Sequence, residues 1–120
     1  MVQARRPPSI DAWGGGGFRV SGDWRPGSLL VIDDQARDWS ATRLADLTPE
    51  DFAPVLAAGG AVEFVLLGGG LVNALPPKAV REALKAAGIG LEFMSTEAAA
   101  RTYNVLASEG RRLAAALIAV

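Results

Sequence analysis

The sequence predicts an α/β domain in which antiparallel strands come first and a parallel β-α-β-α-β unit follows. Its 120 residues are 50% hydrophobic and 21% charged, the ordinary composition of a single globular domain. Short apolar runs separated by turn residues occupy residues 18–32, as in a series of antiparallel strands. From residue 62 onward, strand-length apolar runs alternate with helical patterns, which indicates two right-handed crossovers onto a parallel sheet.

The N-terminal third predicts an arm followed by short strands. Residues 1–8 end in two prolines and show no periodicity, so we expect a flexible arm and then a single α/β domain over residues 9–120. Residues 18–20 alternate apolar and charged side chains, which predicts a half-buried strand. Residues 28–32 form an apolar run typical of a strand covered on both faces, and Asp33-Asp34 supplies a turn.

The middle of the chain predicts a short helix and a buried strand. Thr48 suits the N-cap of a helix and Pro49 its first position, where a missing N–H costs nothing. Pro54 and Gly59-Gly60 keep this helix short. Residues 62–67 are then apolar except for one glutamate, which predicts a strand buried in the sheet.

The second half predicts helix, strand, helix and strand in that order. Apolar residues at helical spacing over residues 80–87 predict an amphipathic helix, and residues 89–93 predict a short strand. Residues 98–108 consist mainly of strong helix formers. Residues 113–120 have the length and apolarity of a final strand, although three alanines also allow a helix.

The composition excludes several classes of function. The chain has no Cys and no His, so disulfides, Cys nucleophiles, Cys/His zinc sites and imidazole bases are excluded. A net charge of −1 provides no basic field for nucleic acid. The uncharged run over residues 64–77 is too short to span a membrane, which leaves only peripheral association open. We predict a cytoplasmic protein with no catalytic residue, cofactor or metal.

A glycine-rich segment provides one candidate binding site. Gly68 and Gly70 follow the predicted strand, a setting in which backbone N–H groups can cradle an anion. Thr96, near the start of the last helix, would lie at the same end of the sheet. Asn73 stands where a dinucleotide fingerprint has its third glycine, so the pattern favours glycines that serve a tight turn.

The last helix provides a second group of candidates for binding a partner or ligand. Arg101 and Asn104 share one stripe of the helix, which we expect to face outward. Tyr103 could anchor a ligand, although a packed ring is the more common use. Glu109 is expected to face the sheet and to pair with Arg111 just beyond the helix. The stripe that we expect to face the sheet comprises Ala98, Thr102, Val105 and Glu109.

Residues 94–111, MSTEAAARTYNVLASEGR, resemble the signature of a small domain family of unknown function. That family includes mitochondrial respiratory complex I assembly factor 3 and an adipogenesis-associated cytosolic protein. The likeness extends back through Gly68-Gly69-Gly70 and Trp39 to about residue 9. The chain departs from the family pattern at Ser95, where an aspartate is common, and at Ala100, where a cysteine is common.

The resemblance implies a three-layer β/β/α domain and a function in binding other proteins. We therefore predict a non-enzymatic protein-binding or assembly factor whose partners include subunits of respiratory complex I. The alternative is a small anionic-ligand-binding protein or an unidentified enzyme. Its site would lie at the carboxyl ends of the parallel strands.

Overall fold

Eight strands form two separate sheets in the computed structural model, which describes residues 6–120. Residues 1–5 of the predicted arm lie outside the described residues. The strands are β1 (Ile10–Gly14), β2 (Gly17–Val20), β3 (Asp23–Pro26), β4 (Ser28–Ile32), β5 (Gln35–Trp39), β6 (Phe64–Gly68), β7 (Gly90–Met94) and β8 (Leu113–Leu117). The helices are α1 (Ala53–Ala58), α2 (Lys78–Ala86) and α3 (Thr96–Ser108).

The two sheets divide the antiparallel strands between them. Strands β1, β2 and β3 form a small antiparallel sheet, and the large sheet has the order β5-β4-β8-β6-β7. In the large sheet β6 is parallel to β7 and β8, whereas β4 is antiparallel to β5 and β8. The predicted antiparallel strands and parallel unit are therefore confirmed. The five N-terminal strands are split between the sheets because β4 pairs with β8 and β5 rather than with β3.

A two-residue hairpin joins β4 to β5. Ile32 is the partner of Gln35, and the two residues between them, Asp33 and Asp34, both have positive φ angles, 52° and 61°. Positive φ at both central positions is the mark of a type I′ turn, whose twist matches that of the strands. The turn predicted at Asp33-Asp34 is therefore confirmed.

The predicted helix start at Thr48 is found as a tighter turn. Pro49–Phe52 is a 3-10 turn that leads into α1, and the Asp51 carboxylate accepts a hydrogen bond from the Thr48 N–H at 2.8 Å. Trp39 packs edge-on against Phe52 with ring centroids 5.6 Å apart. Its indole N–H donates to the Asp51 carbonyl at 2.9 Å, so this turn is fastened to the end of β5.

The two crossovers place their helices on opposite faces of the large sheet. The path from β6 through α2 to β7 moves toward one edge, whereas the path from β7 through α3 to β8 moves back past β6. Crossovers of one hand that run in opposite directions must lie on opposite faces. Helix α2 accordingly packs in one core with Val65 and Leu67, and α3 packs in the other with Leu66.

Two apolar cores separate three layers, as the resemblance implied. One core lies between the large sheet and the layer of α1 and α2. The other lies between the large sheet and a layer formed by the small sheet together with α3. Phe18, Val20, Leu29, Val31 and Tyr103 are members of the second core.

Candidate functional site

The carboxyl ends of β6 and β7 meet at a closed junction. The Thr96 side chain is fully buried there, and its hydroxyl donates to the Ile118 carbonyl at 2.8 Å while accepting from the Gly70 N–H at 3.0 Å. The Thr96 N–H donates to the Gly70 carbonyl at 2.8 Å. The predicted candidates Gly70 and Thr96 are therefore brought together, but their polar groups bond each other and the chain end.

Gly68 belongs to the same junction because the backbone of α3 passes directly over it. A Cβ at this position would lie 2.8 Å from the Thr96 Cα and 2.9 Å from the Leu117 Cδ2. Both distances are shorter than a normal carbon contact. The glycine is therefore required by close packing between β6 and the start of α3, and it leaves no open cradle.

Ser95, rather than Thr96, is the N-cap of α3. Its hydroxyl accepts a hydrogen bond from the Ala98 N–H at 3.2 Å, the usual bond of a capping serine. Because Ser95 caps the helix, the Thr96 hydroxyl can bond Gly70 and Ile118 and so connect three segments of the chain.

Beyond Gly70 the chain forms an exposed apolar loop, which we define as residues 71–77 of the connection between β6 and α2. Leu71, Val72 and Leu75 are 85%, 71% and 61% exposed. In residues 6–120 only Trp24 and Val105 are other large hydrophobic residues exposed to a comparable degree. Solvated leucine and valine side chains grouped in this way make the loop a candidate interaction surface.

A groove of about 590 Å³ runs beside the apolar loop. Leu44 and Ala45, from the 3-10 turn Leu44–Asp46, form its other side. At the end of the apolar loop, Pro76 is buried, and the Pro76 carbonyl accepts a hydrogen bond from the Arg81 Nε–H at 3.1 Å. The groove is lined by Leu44, Ala45, Gly69, Leu71, Val72, Ala74, Leu75 and Pro77. Both ends of the loop are thus fixed to the fold, while its apolar side chains face solvent.

The loop was not predicted from the sequence. Its apolar residues were considered only as part of an uncharged run too short to span a membrane. The signal that could have found the loop is that residues 71–75 are mainly apolar yet follow neither a helical nor an alternating period. Apolar residues without such a period have no face that a regular element could bury.

Two predicted candidates on α3 hold the N-terminal strand in place. Asn104 accepts from the Ile10 N–H at 2.9 Å and donates to the Ile10 carbonyl at 2.8 Å. Tyr103 is buried, and its hydroxyl donates to the Pro8 carbonyl at 2.7 Å. Pro8 lies at the end of the predicted arm, so at least this residue is held against α3.

Arg101 is exposed on the outer face of α3, as expected, whereas Asn104, expected on the same outward stripe, is half-buried against β1. Its guanidinium lies 3.0 Å from the Glu97 carboxylate and 5.4 Å from the centre of the Trp13 ring. Trp13 and Glu97 also line a smaller hollow next to Leu71. Arg101 therefore lies on the surface that borders the start of the apolar loop.

The prediction that Glu109 pairs with Arg111 is wrong. Arg111 Nε lies 3.4 Å from the Glu63 carboxylate, and its guanidinium lies 5.3 Å from the Phe64 ring centre. Glu109 and Val105 are both exposed. The buried face of α3 is displaced by one position from the expected stripe. It comprises Thr96, Ala99, Ala100, Tyr103 and Ala107.

Asp11, near the start of β1, has a lowered pKa and lies away from these candidate residues. Hydrogen bonds from the Ser9 hydroxyl and from the Gly22 N–H hold the pKa of Asp11 below its ordinary value. Within residues 6–120 no group of three acidic side chains comes together as a metal site would need. No helix in that range is both long enough and apolar enough to cross a bilayer.

The fold and the site define a three-layer β/β/α domain with a closed strand-end junction and an exposed apolar loop. Comparison with known proteins identifies its family. Residues 10–118 match the model of a family described as proteins of unknown function, DUF498/DUF598, and the chain belongs to that family. The predicted resemblance is thus confirmed.

The relatives include bacterial and mitochondrial proteins. An uncharacterised protein of Rhodobacter capsulatus is 41% identical over 109 residues, which cover 91% of this chain and 82% of the relative. A mouse protein named NADH dehydrogenase [ubiquinone] 1 alpha subcomplex assembly factor 3 is 31% identical over 98% of this chain, which spans 65% of the length of that protein.

The fold also recurs among solved structures. A crystal structure described as an outer membrane protein from Bartonella henselae superposes with a TM-score of 0.88. It is 38% identical in sequence, and the match covers 95% of this chain and 96% of the other. The predicted α/β fold class is confirmed by this similarity as well as by the two sheets and three helices described above.

Proposed function

We propose that this chain is a non-enzymatic protein-binding factor that assists assembly of a larger complex, with respiratory complex I as the target. The observation that carries the proposal is the apolar loop, in which Leu71, Val72 and Leu75 stand in solvent beside a groove of about 590 Å³. Contact of these apolar side chains with water is energetically unfavourable, and a partner surface that covered them would remove that contact.

The size of that effect favours a protein partner. Burying a leucine or valine side chain is worth about 1.5–3 kcal/mol, so covering these three contributes enough to offset part of the entropy lost on association. The loop is anchored at Gly70 by Thr96 and at Pro76 by Arg81. A loop fixed at both ends loses less freedom when it is bound.

Family membership supports the choice of target. The mouse relative is named an assembly factor of NADH dehydrogenase, and 98% of this chain aligns with it. Because the chain spans only 65% of that protein, the shared part is the β/β/α domain itself. We therefore assign the assembly role to this domain, and we propose that it acts in the cytoplasm, at the face of a membrane complex.

The alternative of an anionic-ligand or enzyme site at the strand ends has less support. The Gly70 N–H and the Thr96 N–H, which such a ligand would need, already donate to oxygen atoms of the chain. An anion would have to break two hydrogen bonds at a buried threonine before it could be held.

The test replaces Leu71, Val72 and Leu75 together by serine in cells that make this chain. We expect the amount of assembled NADH dehydrogenase in the membranes to fall and its subunits to co-purify less with the variant. The thermal melting of the purified variant should stay unchanged, because the three side chains are not part of a core. Native gel electrophoresis and quantitative mass spectrometry provide the two readouts.

Val105→Ser is the matched control, since Val105 is 56% exposed but lies on α3. It should leave both readouts unchanged. If the triple variant assembles and binds as the parent does, the loop is not the contact surface. If deletion of the whole chain leaves NADH dehydrogenase intact, complex I is not the target. Stabilisation by phosphate or a nucleotide would instead favour the ligand-binding alternative.

A further inference from the structure

The outer edges of the two sheets are protected to very different degrees. At the β1 edge of the small sheet, Asn104 bonds both backbone groups of Ile10. Strand β5, at one edge of the large sheet, presents exposed Arg37 and Asp38, and such charges discourage pairing with another strand. Strand β7, at the other edge, has Glu92 as its single charged residue.

The backbone of β7 has two positions that point away from the sheet. The Gly90 N–H donates to the Glu63 carbonyl, and the Met94 carbonyl accepts from the Gly69 N–H, so both residues turn their backbone groups toward β6. Backbone groups alternate in direction along a strand. The N–H and C=O groups of Leu91 and Phe93 therefore face the open edge.

A cationic groove lies along this edge. It has a volume of about 420 Å³ and lies between α2 and β7. Leu91 and Phe93, packed against the core, provide apolar contacts, and Arg81 and Lys85 are its charged residues. Within residues 6–120 neither of these two cations forms an ion pair, whereas the neighbouring Lys78 lies 3.6 Å from Glu82.

We propose that the edge of β7 binds an extended, acidic segment of a partner protein, which adds a sixth strand to the large sheet. The outward N–H and C=O groups of Leu91 and Phe93 supply the backbone hydrogen bonds of strand addition. Alternate side chains of the added strand then point toward α2, where apolar ones meet Leu91 and Phe93 and acidic ones meet Arg81 and Lys85. This groove shares no lining residue with the groove beside the apolar loop, although Arg81 also holds Pro76 at the end of that loop.

Charge argues against a second copy of this chain as the added strand. An antiparallel pair of β7 strands would place the two α2 helices side by side on one face of the continued sheet. Arg81 and Lys85 of one copy would then face the same cations of the other, which is unfavourable. An acidic segment neutralises these charges instead, so the groove favours a different protein.

The probe is a random dodecapeptide library displayed on messenger RNA and selected against the purified chain. We expect selected peptides to carry apolar residues and Asp or Glu together at every second position, the set that points toward α2. Lys85→Glu should weaken their binding by about fivefold to tenfold, because an attraction becomes a repulsion. Lys78→Glu makes the same charge change on α2 outside the groove and should change binding by less than about twofold.

Backbone pairing is tested by methylating alternate amide nitrogens of a selected peptide. One alternate set should abolish binding and the other should leave it intact, because only one set of N–H groups faces β7. In nuclear magnetic resonance spectra, the amide signals of Leu91 and Phe93 should shift most on binding.

Four results would overturn the inference: selected peptides that are basic or uncharged, binding that is indifferent to Lys85→Glu, equal tolerance of both methylation sets, or shifts that map to residues 71–75. The last result would leave the proposed function standing. A solution dimer in which the amide signals of Leu91 and Phe93 shift on association would show that a second copy occupies the edge, which also contradicts the inference.

Discussion

The two connections that leave the carboxyl ends of β6 and β7 are neighbours and are built in opposite ways. Strand β7 passes into α3 through Ser95 alone, and Thr96 is buried at once. The connection from β6 to α2 spans residues 69–77, and after Gly70 it carries three exposed large hydrophobic residues. One connection is part of the core, and the other presents apolar side chains to solvent.

The difference indicates which kind of partner this end of the sheet can bind. Open α/β sheets commonly hold small ligands at the carboxyl ends of their strands. Here the Thr96 hydroxyl links Gly70 to Ile118 and occupies that place. The apolar loop begins where the closed part ends, so contact with a broad protein surface fits this end better than a small polar ligand.

The largest expected effect comes from opening the closed junction with Thr96→Val. Valine keeps the shape but removes the hydroxyl, which leaves the Gly70 N–H and the Ile118 carbonyl without their partner. Since Thr96 is fully buried, we expect a loss of about 2–4 kcal/mol in the free energy of unfolding, measured by urea denaturation.

Two other variants separate this effect from helix capping. Thr96→Ser keeps the hydroxyl and should restore most of the loss, whereas Ser95→Ala removes only the N-cap bond and should cost about 1 kcal/mol. Equal losses for Thr96→Val and Ser95→Ala would mean that the junction is no stronger than an ordinary cap.

A smaller effect is expected from Gly68→Ala. The added methyl group meets the Thr96 Cα and the Leu117 side chain, so β6 and α3 must separate slightly, at a cost of about 1–3 kcal/mol. Gly60→Ala is the matched control, because a Cβ there meets nothing within 4 Å. Similar melting temperatures for both variants would show that the junction can absorb a methyl group and is less tightly closed than described.

The smallest effect on stability is expected on the open side. Leu71→Ser combined with Val72→Ser should change the free energy of unfolding by less than about 0.5 kcal/mol, because both side chains are already in solvent. Urea denaturation beside the parent chain provides the measurement. A loss of 2 kcal/mol, taken here as about the value of one buried side chain, would indicate that these residues pack inside the fold.

The elements of the second half of the chain could be predicted because they agree with local rules. Helix α2 shows a clear apolar stripe, and β6 and β8 are continuous apolar runs. The division of the N-terminal strands between two sheets could not be predicted in this way. It depends on the pairing of β4 with β8, whose paired residues are 84 or more positions apart in the sequence. Local patterns contain no information on such a partner.

The candidate site was predicted only in part, for a related reason. The proximity of Gly70 and Thr96 follows from parallel strands, but the hydroxyl that joins them to Ile118 depends on the position of β8. The face of α3 was misplaced because a shift of one residue rotates a helix by about 100°. Glu109 thereby moved from the expected buried stripe into solvent.

The position of β8 also has a consequence for how the protein is made. A ribosome synthesises β8 after the other seven strands, yet β8 lies between β4 and β6 and is fully buried. Until it emerges, the β4–β5 hairpin and the β6–β7 pair have no strand to join them, and their edges stay open to other nascent chains. Folding of this domain must therefore wait until β8 has been synthesised, and chaperones that cover strand edges during synthesis should raise its yield.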